Sequence, residues 1–122
     1  MEERDAVVKE ISRDELLHKR KRGDPYILVD VLSHKHFTRV HLPGAINVPL
    51  NLLHQLAPLI FSPLDEIVVY CASFQCTAST TAAKILMQQG YPFVLDYKGG
   101  IKDWEEGKQM VMRGTPPEQA AA

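Results

Sequence analysis

Several features that would quickly assign a chain to a class are scarce or absent here. Two cysteines are too few for a disulfide scaffold, and a net charge of −1 lacks the basic excess of nucleic-acid-binding domains. No apolar stretch approaches the ~20 residues that cross a bilayer, and no apolar signal core follows the charged start, Met1 to Asp5. We expect a cytoplasmic protein without nucleic-acid or membrane partners. No apolar stripe indicates its oligomeric state.

The length of 122 residues suits one domain. A chain of this size buries roughly two-thirds of its unfolded surface, which is enough for a single core. The last residues, from Thr115, read TPPEQAAA and have no apolar pattern. We therefore expect a folded domain over residues 1–112 and a flexible tail over 113–122.

Short apolar runs alternate with helical patterns along the chain. Ser12 and Glu15 have capping-box spacing, which predicts a helix that ends at Gly23. Further helices are predicted over 33–39, 51–57 (with Pro58 as the breaker), 77–89 and 102–108, and strands over 26–31, 46–48, 67–70 and 93–95. The alternation predicts an α/β fold with a central, mainly parallel sheet covered by helices on both faces.

The chemistry is expected in the segment Cys71-Ala72-Ser73-Phe74-Gln75-Cys76-Thr77, between a buried strand and a helix. Ligands of parallel sheets bind beyond the carboxyl ends of strands. A helix dipole and converging backbone N–H groups should lower the pKa of Cys71 from the usual ~8.5. A drop of two units needs about 2.7 kcal/mol of preferential stabilisation of the thiolate. The alternative is that Cys71 is an inert buried hydrophobe.

Three segments resemble the rhodanese-homology family of single-domain sulfurtransferases. They match in the correct order and span roughly residues 7 to 108. The first is LVDV from Leu28 with HLPGAINVP from His41, the second is VVYC ending at Cys71 with its loop and alanine-rich helix, and the third is GGIKDW from Gly99. Three motifs in this order make the resemblance specific.

The resemblance implies that Cys71 accepts a sulfane sulfur, becomes a persulfide and passes the sulfur to a nucleophile. The donor would be thiosulfate or another persulfide, and the acceptor a thiol, cyanide or a protein. No cofactor and no metal are implied. From the residues themselves, the amides of Ala72 to Thr77 should bind the sulfur anion, with the hydroxyls of Ser73 and Thr77 as further donors. Asp30 is expected to hydrogen-bond near the strand ends, and His41 to stabilise its turn.

The loop departs from the family pattern in its charge. Thiosulfate-using members place Arg or Lys at the sixth loop position, whereas this chain has Cys76 there and no charged residue from Cys71 to Ala83. Leu32 also replaces the usual Arg. Only Lys98 and Lys102 remain as more distant cations, so we expect weak thiosulfate turnover. The lack of Arg also argues against a phosphatase.

Cys76 leaves two alternatives to a simple sulfurtransferase. It could attack a Cys71 persulfide or its oxidised form and close a disulfide, which would make the pair a redox switch. Otherwise it is a small buried residue. The missing loop cation also allows a non-catalytic interaction domain. His34, His36 and His41 lack the spacing of zinc ligands, and the basic run at 18–22 suits a solvated helix end.

Overall fold

The central sheet has five parallel strands. The computed structural model describes residues 7–115, and within them the strands run in the order β1-β5-β4-β2-β3. Their bounds are β1 Lys9–Glu10, β2 Ile27–Asp30, β3 Ile46–Asn47, β4 Ile67–Tyr70 and β5 Val94–Tyr97. The predicted α/β class with a parallel central sheet is therefore confirmed.

Helices cover both faces of the sheet. Their bounds are α1 Arg13–Arg22, α2 His34–Arg39, α3 Leu50–Ile60, α4 Ala78–Gln88 and α5 Gly100–Glu106. Alternate residues of β4 enter two different cores, because successive side chains of a strand point to opposite faces. Val69 packs in the core under α3 and α4, and Val68 and Tyr70 pack in the core under α1, α2 and α5. Burial on both faces explains why this strand is almost wholly apolar.

Helix α1 begins and ends as its sequence predicts. The hydroxyl of Ser12 accepts the N–H of Glu15, and the Glu15 carboxylate accepts the N–H of Ser12. Gly23 follows the helix in the left-handed conformation, with φ of 75°. The basic side chains of the run at 18–22 lie in the last turn, where cations oppose the negative end of the helix dipole.

The prediction that Pro58 ends the third helix is wrong. Helix α3 continues through Pro58 to Ile60. Proline has no N–H, so the carbonyl of His54 loses its intrahelical partner. The side-chain amide of Gln89 donates to that carbonyl at 2.9 Å. A neighbouring helix end thus replaces the missing hydrogen bond and allows the helix to continue.

Three other boundaries differ from the expected ones. Strand β1 was not predicted, because Lys9 and Glu10 are both exposed and show no apolar alternation; pairing with β5 creates it. Strand β5 extends to Tyr97 rather than ending at residue 95. Helix α5 starts at Gly100, earlier than expected, because both glycines of the Gly99-Gly100 pair contribute to its beginning.

The first residues of the expected tail form hydrogen bonds to the domain. They follow Met112, which forms an antiparallel bridge with His41. Arg113 donates to the carbonyl of Arg39 at 2.9 Å, and the N–H of Gly114 donates to the carbonyl of Thr38 at 2.6 Å. The remainder of that tail, residues 116–122, lies outside the described residues, as does the charged start over residues 1–6. Within residues 7–115, no helix combines the length and apolarity that a membrane span requires.

Candidate functional site

The loop from Cys71 to Thr77 connects the carboxyl end of β4 to α4, as expected. Its first residues are fixed by the start of α5. The N–H of Ile101 donates to the carbonyl of Cys71 at 3.1 Å, and the N–H of Lys102 donates to Ala72 at 2.9 Å. Gly100 lies against the Cys71 carbonyl so closely that a Cβ would overlap it, and its φ of +64° also disfavours other residues. The glycine therefore allows α5 to hold the base of the loop.

Lys98 holds the outer part of the same loop. It follows β5, and its ammonium donates to the carbonyls of Phe74 and Cys76, at 2.9 Å each. The N–H of Cys76 also donates to Ser73 at 3.0 Å, which closes a turn inside the loop. A positive charge therefore lies beside the loop although the loop itself has none.

The expectation that Cys71 has a lowered pKa is wrong in this structure. Its side chain is fully buried, and burial raises the pKa of the thiol, with a smaller rise from Cys76. The Cys71 thiol lies within donating distance of the Cys76 carbonyl, 3.6 Å, and of the Ser79 hydroxyl, 3.4 Å. A hydrogen bond from Ser79 opposes the rise without cancelling it. Burial therefore disfavours the Cys71 thiolate.

Cys76 is the loop cysteine whose thiolate is favoured. Partial burial alone would raise its pKa, but the Cys71 thiol, the N–H groups of Ala72 and Ala78, and the charge of Lys98 together lower it. Cys76 is also partly exposed. The backbone donors that were expected at Cys71 thus act mainly on the second cysteine, and Cys71 receives an N–H from Ser79.

The remaining loop side chains are open to solvent to different degrees. Ala72, Phe74, Gln75 and Thr77 are exposed, and Ser73 is half-buried. Phe74 and Lys98 line an open cleft of about 390 Å³ that reaches across to Ser12, Arg13 and Asp103. Neither cysteine lines this cleft. The cleft therefore lies beside the loop and does not reach either sulfur.

Asp30 and His41 lie together, on the face of the sheet opposite Cys71. Asp30 pairs in register with Tyr70, whose hydroxyl accepts the N–H of Leu42 at 3.0 Å. Burial raises the pKa of Asp30, partly opposed by the N–H of Leu32 and by Tyr70. His41 stacks on a buried phenylalanine with ring centroids 3.9 Å apart. Both residues support the core under α1, α2 and α5, and the structure does not bring them to the cysteines.

Comparison with known proteins assigns the family. The sequence profile described as Rhodanese-like domain matches residues 12–107. The chain belongs to the rhodanese-like domain family. It is 33% identical over 101 residues to a sulfurtransferase of Allochromatium vinosum, covering 80% of this chain and 89% of that protein. It is 35% identical over 107 residues to the HTH-type transcriptional regulator Rv0324 of Mycobacterium tuberculosis, covering 87% of this chain but 46% of that regulator.

Solved structures agree on the fold. The human single-domain sulfurtransferase TSTD1 superposes with a TM-score of 0.70 at 23% identity, over 82% of this chain and 97% of that one. This rhodanese-like domain therefore matches some relatives along nearly their whole length. It spans about half of the mycobacterial regulator and 21% of a rice protein named adenylyltransferase and sulfurtransferase MOCS3, to which it is 32% identical over 67% of its own length.

Ser79 is a residue of this rhodanese-like domain that sequence reasoning missed. It is fully buried, with Ala82, Ala83 and Leu86, on the inner face of α4. A hydroxyl at helical spacing with three apolar residues was the available signal. An apolar face drawn through Ala78, Ala82 and Leu86 omits this serine, and Ala78 is only half-buried. Within residues 7–115, no three His, Cys, Asp or Glu side chains gather as metal ligands would.

Proposed function

We propose that this rhodanese-like domain is a sulfurtransferase that carries sulfane sulfur as a persulfide on Cys71. The observation that supports this most directly is the pair of thiols in the loop between β4 and α4. One thiol is buried and the other is partly exposed, and the pKa is raised for the buried thiol and lowered for the exposed one. Sulfur transfer needs a thiolate to attack the donor and a sheltered site for the product, and this arrangement is compatible with both needs.

The burial of Cys71 suits the storage of sulfur rather than its capture. A persulfide is reactive toward stray thiols, and a sulfur with no exposed surface meets them only when the loop opens. The Cys71 thiol donates to the Ser79 hydroxyl oxygen, and on an anionic sulfur that hydroxyl would turn to donate, beside the N–H of Ser79. These donors would stabilise negative charge on the bound sulfur without a metal or cofactor.

The charge distribution favours an uncharged or singly charged donor over thiosulfate. The ammonium of Lys98 already donates to two backbone carbonyls of the loop, which leaves it poorly placed to clamp a dianion. Charge-assisted hydrogen bonds are roughly twice as strong as neutral ones. We therefore propose a low-molecular-weight or protein persulfide as the preferred donor, with a thiol, cyanide or protein thiol as acceptor.

The test is a mass measurement on the reduced protein. It is incubated with thiosulfate, polysulfide or glutathione persulfide and compared with a Cys71→Ser/Cys76→Ser double variant. Cleavage after Phe74, which lies between the cysteines, assigns the sulfur to one of them. We expect the wild type to gain one sulfur atom that ends on the Cys71 fragment, fastest with the persulfide, and the double variant to gain none.

Two other results would contradict the proposal and identify an alternative. An unchanged mass with every donor would indicate a non-catalytic interaction domain. A loss of two hydrogens that requires both cysteines would indicate a thiol–disulfide switch. Thermal stability of the double variant, measured in parallel, separates a lost reaction from a lost fold.

A further inference from the structure

The accessible sulfur of the loop is not the sulfur that the proposed function uses as its carrier. Cys71 has no exposed surface, whereas Cys76 is partly exposed. A reaction with a dissolved donor requires the attacking sulfur to meet it. In the described conformation that condition is met at Cys76.

The surroundings of Cys76 also favour a nucleophile. Although burial would raise the pKa of Cys76, the Cys71 thiol and the nearby N–H groups of Ala72 and Ala78 lower it. Lys98 donates to the Cys76 carbonyl at 2.9 Å, which places its positive charge next to the same residue. Reactive cysteines are found in electropositive, partly exposed positions of this kind, and inert cysteines in buried ones.

The two cysteines are in direct contact. The Cys71 sulfur lies 3.6 Å from the carbonyl oxygen of Cys76, and each thiol affects the ionisation of the other. A sulfur atom bound to Cys76 would therefore have Cys71 as its nearest thiol. The hydroxyl and the N–H of Ser79 lie next to the Cys71 sulfur.

We propose that sulfur enters the loop at Cys76 and passes inward to Cys71, so that the domain works as a two-thiol relay. The proposal rests on the sulfurtransferase function proposed above and adds the route by which sulfur reaches its carrier. Cys76 is on this view a catalytic residue that touches the donor, and Cys71 holds the sulfur that is later delivered.

Both steps balance without an oxidant or a reductant. In the first, the Cys76 thiolate attacks the outer sulfur of a persulfide donor R–S–SH, the donor S–S bond breaks, and the leaving RS⁻ takes up the persulfide proton and departs as RSH, so that Cys76 carries the persulfide anion –S–S⁻. In the second, the Cys71 proton passes to the outer sulfur on Cys76, and the Cys71 thiolate attacks that sulfur. An S–S bond forms on Cys71, the S–S bond on Cys76 breaks, and Cys76 leaves as a thiolate.

The order of the two thiols agrees with the chemistry of sulfur exchange. The thiol with the lower pKa is the better leaving group, and the thiol with the higher pKa is the stronger nucleophile once it is deprotonated. Cys76 has the lowered pKa and Cys71 the raised one. This order agrees with the geometry, in which Cys76 is partly exposed and Cys71 is buried behind it.

The relay is tested by rapid quenching of a single turnover with glutathione persulfide. Samples are acid-quenched, alkylated, cleaved after Phe74 and weighed. In the wild type we expect sulfur first on the Cys76 fragment and then on the Cys71 fragment. In Cys71→Ser the sulfur should stay on Cys76. In Cys76→Ser the loading of Cys71 should slow by about tenfold or more, which corresponds to a barrier higher by about 1.4 kcal/mol or more.

The outcomes separate the relay from the function on which it rests. If Cys71 is loaded in Cys76→Ser at the wild-type rate, and the wild type never carries sulfur on Cys76, the relay is overturned and the sulfurtransferase function stands. No sulfur on any cysteine in any sample would overturn both. A Cys76→Ala variant repeats the measurement without a hydroxyl, and a match between its thermal stability and that of the wild type shows that the fold is intact.

Discussion

Replacing Lys98 by methionine should make Cys76 less reactive. The Lys98 ammonium lies 2.9 Å from the Cys76 carbonyl. For a charge pair separated by roughly 6 Å at an effective dielectric constant of about 20, the interaction is worth about 2.8 kcal/mol. Solvent reaches Cys76, so we halve this value for screening, to about 1.4 kcal/mol. That energy corresponds to about one pKa unit.

The sign follows from the charge that is removed. Loss of a cation disfavours the thiolate, so the pKa of Cys76, lowered in the wild type, should rise in Lys98→Met. At a pH below both midpoints the thiolate fraction, and with it the alkylation rate, should fall by up to about tenfold. The assay follows iodoacetamide labelling of the Cys76 fragment against pH, after cleavage behind Phe74.

A matched variant controls for the general loss of a charge. Lys84 is exposed on α4, and Lys84→Met should leave the midpoint of Cys76 within a few tenths of a unit, since distant exposed charges are screened. An unchanged midpoint in Lys98→Met, or an equal shift in Lys84→Met, would refute the assigned role of Lys98.

Two further predictions concern the elements that frame the loop. Gly100→Ala should destabilise the domain by about 3 kcal/mol or more in urea unfolding, because the added Cβ meets the carbonyl at the start of the loop. Gly114→Ala is the control: its φ of +85° lies in open space, so the free energy of unfolding should fall by only about 1 kcal/mol. Gln89→Ala should lose about 1 kcal/mol by leaving the His54 carbonyl unpaired. The loss should vanish in a Pro58→Ala background, where residue 58 supplies the N–H, and additive losses would contradict the role of Gln89.

Local patterns were enough to predict most of the framework. The capping box at Ser12 and the left-handed Gly23 depend on neighbours within a few residues, so they can be inferred from the sequence alone. The apolar run of β4 and the position of the loop after it follow from burial on both faces of a parallel sheet. The side-chain amide of Gln89, which pairs with the His54 carbonyl and allows α3 to continue past Pro58, comes from far along the chain. No local pattern in the sequence shows this contact.

The state of the two cysteines is where sequence reasoning went wrong. Both lie near the start of α4, so a helix dipole by itself does not choose between them. The choice depends on how the backbone turns between Ser73 and Cys76 and on Lys98, which arrives from β5. Lys98 follows a distant strand and Gly100 begins α5, so both reach the loop through tertiary contacts that no local pattern shows.

The most direct test of sulfur transfer by this loop follows a preloaded protein into an acceptor. The wild type is loaded with glutathione persulfide, freed of donor by gel filtration, weighed and mixed with cyanide. We predict one sulfur per chain before mixing, its return to the unloaded mass afterwards, and an equal amount of thiocyanate. Two results would contradict sulfur transfer by this loop. One is turnover of donor and cyanide by the Cys71→Ser/Cys76→Ser variant at the wild-type rate, and the other is a desalted wild type that holds no sulfur.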